Sequence, residues 1–484
     1  MVKEIITKPG RTFSEFSLLT GLTTEKCSIP KVKLDTKLTD YLDLKIPFLS
    51  AAMTSVTGYE LCFTLGKLGG MGILPVKYSI EEQVDIVSKL KNQELSFVED
   101  PVTTRENKTI ESVIRMIEKH GHSTIPVVDR FQKFLGLFVQ EHYWNLNMDI
   151  KNNVTDAMIP YMPSENKIKI CNNPPITTKE AKSILNQNDE KYMIVLDDQQ
   201  RLIKIAFKQD IDEMKVGAAI STYPGWKDRV IANIEAGIDL IVIDTSDAYM
   251  TFTKNVLEEY KKLDYNISIC AGNVITYEGA MYLMEAGADI IKIGMSSGSI
   301  CTTQREKATG RAPMTALLEA DRARKDYFKK TGKYIPIVMD GGITSSADMV
   351  IALTIADSVM MGGYFNHFYE AVAPKLDINE KPTRDESKIY YVETWGEGSK
   401  KARNLDRYGH TQRKTFFAEG AEGVIPYKGR LKPYLEKDLT KIKAALSNAG
   451  CINLEEFRKN SVIELNSPNT SMIVSTTHDI KEKI

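Results

Sequence analysis

The sequence predicts an α/β protein, a (β/α)8 TIM barrel that carries one inserted domain. Three observations predict it: eight short apolar runs alternate with helical patterns, each run ends in a Gly-, Ser- or Asp-rich turn, and one gap between runs is too long for a loop. The runs are Ile46–Ser50, Gly72–Leu74, Gly217–Ile220, Leu240–Ile243, Ile267–Cys270, Ile290–Ile293, Ile335–Met339 and Ser358–Met361. Continuous apolar runs suit strands covered on both faces. Eight of them alternating with helices favour a closed barrel over an open sheet. The helical patterns Trp226–Ala236, Tyr277–Ala286 and Ala312–Thr331 fall between them as this fold requires.

About 140 residues separate the second run from the third, far more than one βα connection uses. Two stretches within the gap are alike: IPVVDRFQKFLGLFVQEHY (Ile125–Tyr143) and YMIVLDDQQRLIKIAFKQDID (Tyr192–Asp212). Each reads as strand, acidic turn, second strand and polar helix start, and each follows an amphipathic pattern, Ile110–His120 or Lys179–Asn188. The duplication predicts a small domain of two matching halves, which resembles a tandem CBS (cystathionine-β-synthase-type) module. That resemblance implies an adenine or guanine nucleotide as ligand. The family's ribose-binding Asp should follow each second strand; the first half has Gln140-Glu141-His142 there, and the second offers Asp210. A regulatory insert and a purely structural one both remain open. The expected division is 1–94 for the first part of the barrel, 95–213 for the insert and 214–484 for the rest, with a mobile flap at about 393–419.

Composition narrows the function classes. Lys plus Arg (63) nearly equals Asp plus Glu (64), so no global field favours DNA or an anionic membrane. An anionic ligand must be held by a local site. No apolar run reaches the ~18–20 residues of a spanning helix, and the N-terminus MVKEIITKPGRTFSEF has no apolar signal region. The tail HDIKEKI matches no sorting signal. Cys27, Cys62, Cys171, Cys270, Cys301 and Cys451 include no CxxC pair. Free thiols in a cytoplasmic chain are the expectation.

In such a barrel the chemistry sits where strands end. Those points read Ser50-Ala51-Ala52-Met53, Asp244-Thr245-Ser246-Asp247, Ala271-Gly272-Asn273, Gly294 to Thr303, Asp340-Gly341-Gly342-Ile343 and Gly362-Gly363-Tyr364. Glycines let backbone N–H groups approach an anion closely, and the loops after strands seven and eight are the usual phosphate place. Ser299 adds a hydroxyl, and Asp340 is an acceptor suited to ribose hydroxyls. Cys301 lies in a loop of Gly, Ser and Thr, where exposed N–H groups favour the thiolate and the sulfur can reach a ligand. It is the candidate nucleophile, and the Thr302 and Thr303 hydroxyls beside it can position water.

GSICTT around Cys301, DGGI at Asp340 and SAAM at Ser50 resemble the active-site segments of the IMP dehydrogenase/GMP reductase family, and the likeness runs over nearly the whole chain. The resemblance implies that Cys301 attacks C2 of IMP, that hydride passes to NAD, and that water releases XMP from the covalent intermediate. It implies Ser299, Gly342, Gly362 and Gly363 at the phosphate, Asp340 at the ribose, and Met53 near the base. Glu397, Gly398 and Glu419 would complete the substrate site, with Glu419 at the purine N1–C6 edge. Asp244, Ser246, Asn273 and Gly294 would face NAD, which must bind on the rim because the chain has no GxGxxG fingerprint. Arg407 and Tyr408, within WGEGSKKARNLDRYGHTQRKTFF, match the pair that activates water on a flap. A free guanidinium is a poor base, so flap closure is part of that mechanism.

Three departures stand out. Thr394 takes the place of a Tyr that donates to the phosphate. Ser296 replaces a Gly, and Ser475-Thr476-Thr477-His478 replaces a Glu-Gly-Gly before His. The last two weaken the case for a monovalent cation (K+) on the carbonyls of Gly298 and Cys301. The wording WGEGS and KARN resembles a divergent branch seen in some protozoan parasites. The resemblance also implies a homotetramer. GMP reductase and a nucleotide-sensing scaffold that no longer turns over are the alternatives. The Arg407-Tyr408 flap pair separates the dehydrogenase from GMP reductase, which shares the cysteine loop, and retention of Cys301, Thr303 and that pair together argues against the scaffold.

Overall fold

A computed structural model of the chain describes residues 5–92, 98, 100–120, 123–146, 148–162, 169–171, 180, 184–185, 192–207, 214–295, 298, 300–404, 418–467 and 470. Eight parallel strands close into a barrel: β1 (Phe48–Ser50), β2 (Met71–Leu74), β3 (Lys215–Ile220), β4 (Leu240–Asp244), β5 (Ser268–Val274), β6 (Ile290–Ile293), β7 (Ile337–Asp340) and β8 (Ser358–Met361). Each pairs with its successor, and Met361 of β8 lies against Ser50 of β1 to complete the circle. All eight expected runs are strands of this barrel. Leu49, Met71, Ile73, Ala219, Val242, Cys270, Val338 and Met360 belong to one buried cluster, so the interior is a packed core and not a pore. Helices Trp226–Glu235, Tyr277–Glu285 and Pro313–Thr331 stand where the periodicity puts them.

The strand starts share a device. Asp239, Asp289 and Asp357 directly precede β4, β6 and β8. Each accepts a hydrogen bond from a backbone N–H of the preceding strand: Val216 at 2.8 Å, Ile269 at 3.0 Å and Ile337 at 2.8 Å. The same three aspartates donate their own N–H groups back to the carbonyls of Val216, Ile269 and Ile337. β4, β6 and β8 are thus each latched to the preceding strand at the end remote from the functional rim. Asp357, 1% exposed, also meets Arg324 at 2.8 Å and Arg458 at 3.4 Å, and accepts the Tyr334 hydroxyl at 2.8 Å.

Beyond the barrel, Lys375–Leu376, Tyr391–Trp395 and Glu422–Pro426 form an antiparallel sheet. The segment read as a flap from residue 393 therefore starts inside a strand, and a short helix, Lys400–Asn404, follows before residues outside the description. Val392 and Trp395 of this sheet cluster with Ala373 and Ala402.

The chain divides into two compact units, 1–90 with 215–428 and 441–484, and 91–214 with 429–440. In the second unit the two matching stretches fold alike in detail. Thr124–Val128 pairs antiparallel with Phe134–Val139, and Tyr192–Leu196 with Leu202–Phe207. Both hairpins carry an irregularity at the same place, Val127/Val128 and Val195/Leu196. Both turn on an aspartate: Asp129 accepts from the N–H groups of Phe131 and Lys133, Asp197 from those of Gln199 and Arg201. Gln132 (φ 68°) and Gln200 (φ 61°) take the left-handed conformation at equivalent positions. A bridge joins Lys133 to Arg201, the same position of each half. Asp210 and most of Lys179–Asn188 lie outside the described residues. Among the described residues, no helix is long and apolar enough to cross a membrane.

Candidate active site

The C-terminal ends of β4 to β7 converge on a lysine. Lys292 of β6 points into the barrel with its side chain 1% exposed, which demands compensating partners for its charge. Its ammonium lies 2.9 Å from Asp244 and 3.0 Å from Asp340, and it also donates to the Asn273 amide oxygen. Burial alone would lower the pKa of this ammonium; the carboxylates of Asp244 and Asp340 outweigh burial and hold it above its ordinary value. The Asn273 amide nitrogen in turn donates to Asp340 at 3.0 Å and to the Gly294 carbonyl at 2.6 Å. Gly294 has φ 137°, and a Cβ there would overlap the Asp340 carbonyl, so no other residue fits. Asp244, Asn273, Gly294 and Asp340, read separately from the sequence, therefore form one network around Lys292. Ser246 sits exposed on the same rim.

Cys301 is exposed, whereas Cys27, Cys62, Cys270 and Cys451 are buried. Its sulfur is 3.2 Å from the Thr303 hydroxyl, and that hydroxyl donates to the Glu419 carboxylate at 3.3 Å. The second Glu419 oxygen meets Lys307 at 2.8 Å. The backbone holds this line in place: Thr302 N–H donates to the Glu419 carbonyl, Ala421 N–H to Ile300, and Glu419 N–H to Gly398. A Cβ at Gly398 would come within 3.0 Å of the Glu419 Cβ, so this glycine permits the close approach.

On the other side, Gly341 (φ 81°) and Gly342 (φ 73°) turn the chain beyond β7. Gly362 and Gly363 follow β8, and a Cβ at Gly362 would lie 2.6 Å from the Met53 sulfur. The Glu397 carboxylate accepts from the Thr54 hydroxyl at 2.8 Å and from its N–H, and the Trp395 indole donates to the same hydroxyl at 2.9 Å. Met53 and Glu397 are thus brought to one place by Thr54. Thr394 is buried, and its hydroxyl accepts from the Asn366 amide at 2.6 Å. The hydroxyl that replaces the phosphate-donating Tyr is engaged within the protein.

Sequence reasoning did not single out Lys292, Lys307, Thr54 or Asn366. Lys292 carries a readable signal, a lone cation in the apolar run IIKI. The other three owe their positions to contacts remote in sequence or to a single helical turn. Ser296, Ser299, Arg407, Tyr408 and Ser475-Thr476-Thr477-His478 lie outside the described residues. The Gly298 carbonyl, one of the expected cation ligands, accepts the Cys301 N–H at 3.3 Å. Among the described residues no group of three or more His, Cys, Asp or Glu side chains could hold a metal.

An exposed thiol on a barrel rim, beside a Thr–Glu pair and glycine turns, defines the class: a barrel enzyme with a loop-borne cysteine. Residues 10–478 match the family model described as IMP dehydrogenase / GMP reductase domain. The chain belongs to the IMP dehydrogenase / GMP reductase family. It is 33% identical to an inosine-5'-monophosphate dehydrogenase from Tritrichomonas foetus, over 98% of this chain and 96% of the relative. It is 32% identical to the enzyme of that name from Aquifex aeolicus, over 89% of this chain and 88% of the relative. A solved Cys-to-Ala variant of Trypanosoma brucei GMP reductase, in complex with guanosine 5'-monophosphate, superposes with a TM-score of 0.67 at 22% identity, covering 98% of each chain. That last likeness is one of fold.

Proposed function

We propose that this chain oxidises IMP to XMP with NAD as hydride acceptor, a step toward guanine nucleotides. The observation that carries the reading is the contact line Cys301–Thr303–Glu419 on the barrel rim. The Cys301 thiolate adds to C2 of the purine, and the C2 hydrogen leaves with its electron pair, so that a C2–Sγ bond remains. NAD, bound near Asp244, Ser246, Asn273 and Gly294, supplies the acceptor for that hydride. Water then adds its oxygen to C2, the C2–Sγ bond breaks, and its electron pair returns to the sulfur. The departing water proton passes to a base. Arg407 and Tyr408 are proposed for that task by resemblance, and the Thr303 hydroxyl, which donates to Glu419, is proposed to position the water.

Asp340 accepts the ribose hydroxyls, with Lys292 and Asn273 holding its carboxylate. Backbone N–H groups at Gly342, Gly362 and Gly363, with Ser299, receive the phosphate, and Met53, Glu397, Gly398 and Glu419 bound the base. The carbonyls of Gly298 and Cys301 are the proposed seat for K+, which varying the cation tests. A homotetramer, a cytoplasmic location and a CBS-like insert (95–213) with an adenine or guanine nucleotide as ligand complete the proposal.

Mixing the protein with IMP and NAD and following NADH absorbance tests the reading; no NADH at any K+ concentration would overturn it. The family name and the Trypanosoma brucei neighbour keep GMP reductase as the second reading, which NADPH consumption in the presence of GMP would reveal. Arg407→Ala should preserve the NADH burst and stall hydrolysis in the dehydrogenase.

A further inference from the structure

One helical turn, Thr303–Lys307, starts two residues after the nucleophile. Its first and last residues are four apart and so share a face. Both meet the same carboxylate: Thr303 reaches one Glu419 oxygen at 3.3 Å, and Lys307 reaches the other at 2.8 Å. Glu419 is mostly buried, with its side chain 11% exposed, while that of Lys307 is 41% exposed. A carboxylate gripped at one oxygen cannot rotate freely about its terminal bond, so its second oxygen stays directed at the Thr303 hydroxyl.

We propose that Lys307 is a positioning residue for the hydrolytic half of the reaction: its ammonium fixes one Glu419 oxygen so that the other accepts from Thr303 beside the Cys301 sulfur. This rests on the reading of Cys301 chemistry above. In that half, water gives its oxygen to C2, the C2–Sγ bond breaks toward sulfur, the water proton passes to the base assigned above, and the Thr303 hydroxyl, held by Glu419, positions the water. Lys307 acts through Glu419, the carboxylate it meets at 2.8 Å. Its effect on the rate falls on the step in which Thr303 must position water, because hydride departure from C2 needs no water there.

The test compares Lys307→Met, Lys307→Arg and Glu419→Gln, singly and combined, in the full-length protein with IMP and NAD. Lys307→Met should keep the first-turnover NADH burst within about 2-fold and lower the steady-state rate by about 10-fold. Lys307→Arg should restore most of that loss. In the Glu419→Gln background, Lys307→Met should change nothing further, because the lysine acts through the glutamate. Burst and steady-state rate falling together, an unchanged steady-state rate, or additive losses in the double variant would each overturn the inference. No NADH from the unmodified protein would overturn the underlying reading as well, which separates the two failures.

Discussion

The Lys292 ammonium lies 3.0 Å from the Asp340 carboxylate, inside the barrel and at the end of the strand that precedes the cysteine loop. It neutralises Asp244 from the same position, so one buried cation serves both the residue assigned to ribose and a residue assigned to NAD.

Lys292→Met should therefore disturb both ligands together. Removing the ammonium leaves two carboxylates facing each other, and breaking a buried pair in this way costs about 3–5 kcal/mol. Expected outcomes are a lower melting temperature and KM values for IMP and NAD raised by roughly 10-fold or more, about 1.4 kcal/mol each. An IMP titration identical to that of the unmodified protein would show that Asp340 needs no such support.

Alkylation should mark one described cysteine. Burial pushes the Cys62 thiol above its ordinary range and that of Cys270 up to about 12, so both remain protonated at neutral pH. Of Cys27, Cys62, Cys270, Cys301 and Cys451, Cys301 is the exposed one. Iodoacetamide followed by peptide mass mapping should modify Cys301 in the native protein, and IMP should slow that modification by at least 10-fold when nearly saturating. Equal labelling with and without IMP would count against the covalent step.

In the second unit, Glu436 accepts the Ser123 hydroxyl at 2.7 Å. Burial is the main cause that raises its carboxyl above the usual range. A carboxyl raised on folding contributes stability that is complete below its unfolded pKa and lost as pH rises through the folded one. Glu436→Gln imitates the neutral form and should raise the melting temperature at about pH 7.5, with the gain vanishing as pH falls below about 4.3. A variant less stable at neutral pH would contradict the burial argument.

Asp357 ties Arg324, Arg458, Tyr334 and the Ile337 N–H together. Asp357→Ala should cost about 3–5 kcal/mol, measured by urea unfolding, because Arg458 loses this carboxylate and Arg324 is left with Asp321. Strand starts belong to the stability face of a barrel, so the folded fraction should keep the Cys301 alkylation rate. A slower rate in that fraction would mean that the damage reaches the rim.

The barrel was legible because its strands are buried on both faces and announce themselves as apolar runs. The short strands Phe16–Leu18 and Ile463–Leu465 were not, since each pairs only with a segment at the far end of the chain. Cys301, Asp340 and the glycine turns could be read because loop chemistry is local. Lys292 could not be placed so readily: IIKI shows a cation but not which way it faces, and only closure of the barrel makes that position interior. Glu419 was legible as a substrate residue, yet its two grips at Thr303 and Lys307 depend on a segment more than a hundred residues away. Thr394 was read as a shortened phosphate donor; its bond to Asn366 depends on where the turn after β8 packs.

The three aspartate latches divide labour along each strand. Asp239, Asp289 and Asp357 set strand register from the strand starts, the end opposite the rim that carries Cys301. Loops at the opposite end are then released from any duty of alignment. Lengthening or rewording them alters what the barrel can bind without asking the staves to slide, which is the condition under which a scaffold of this kind can acquire new chemistry one hoop at a time.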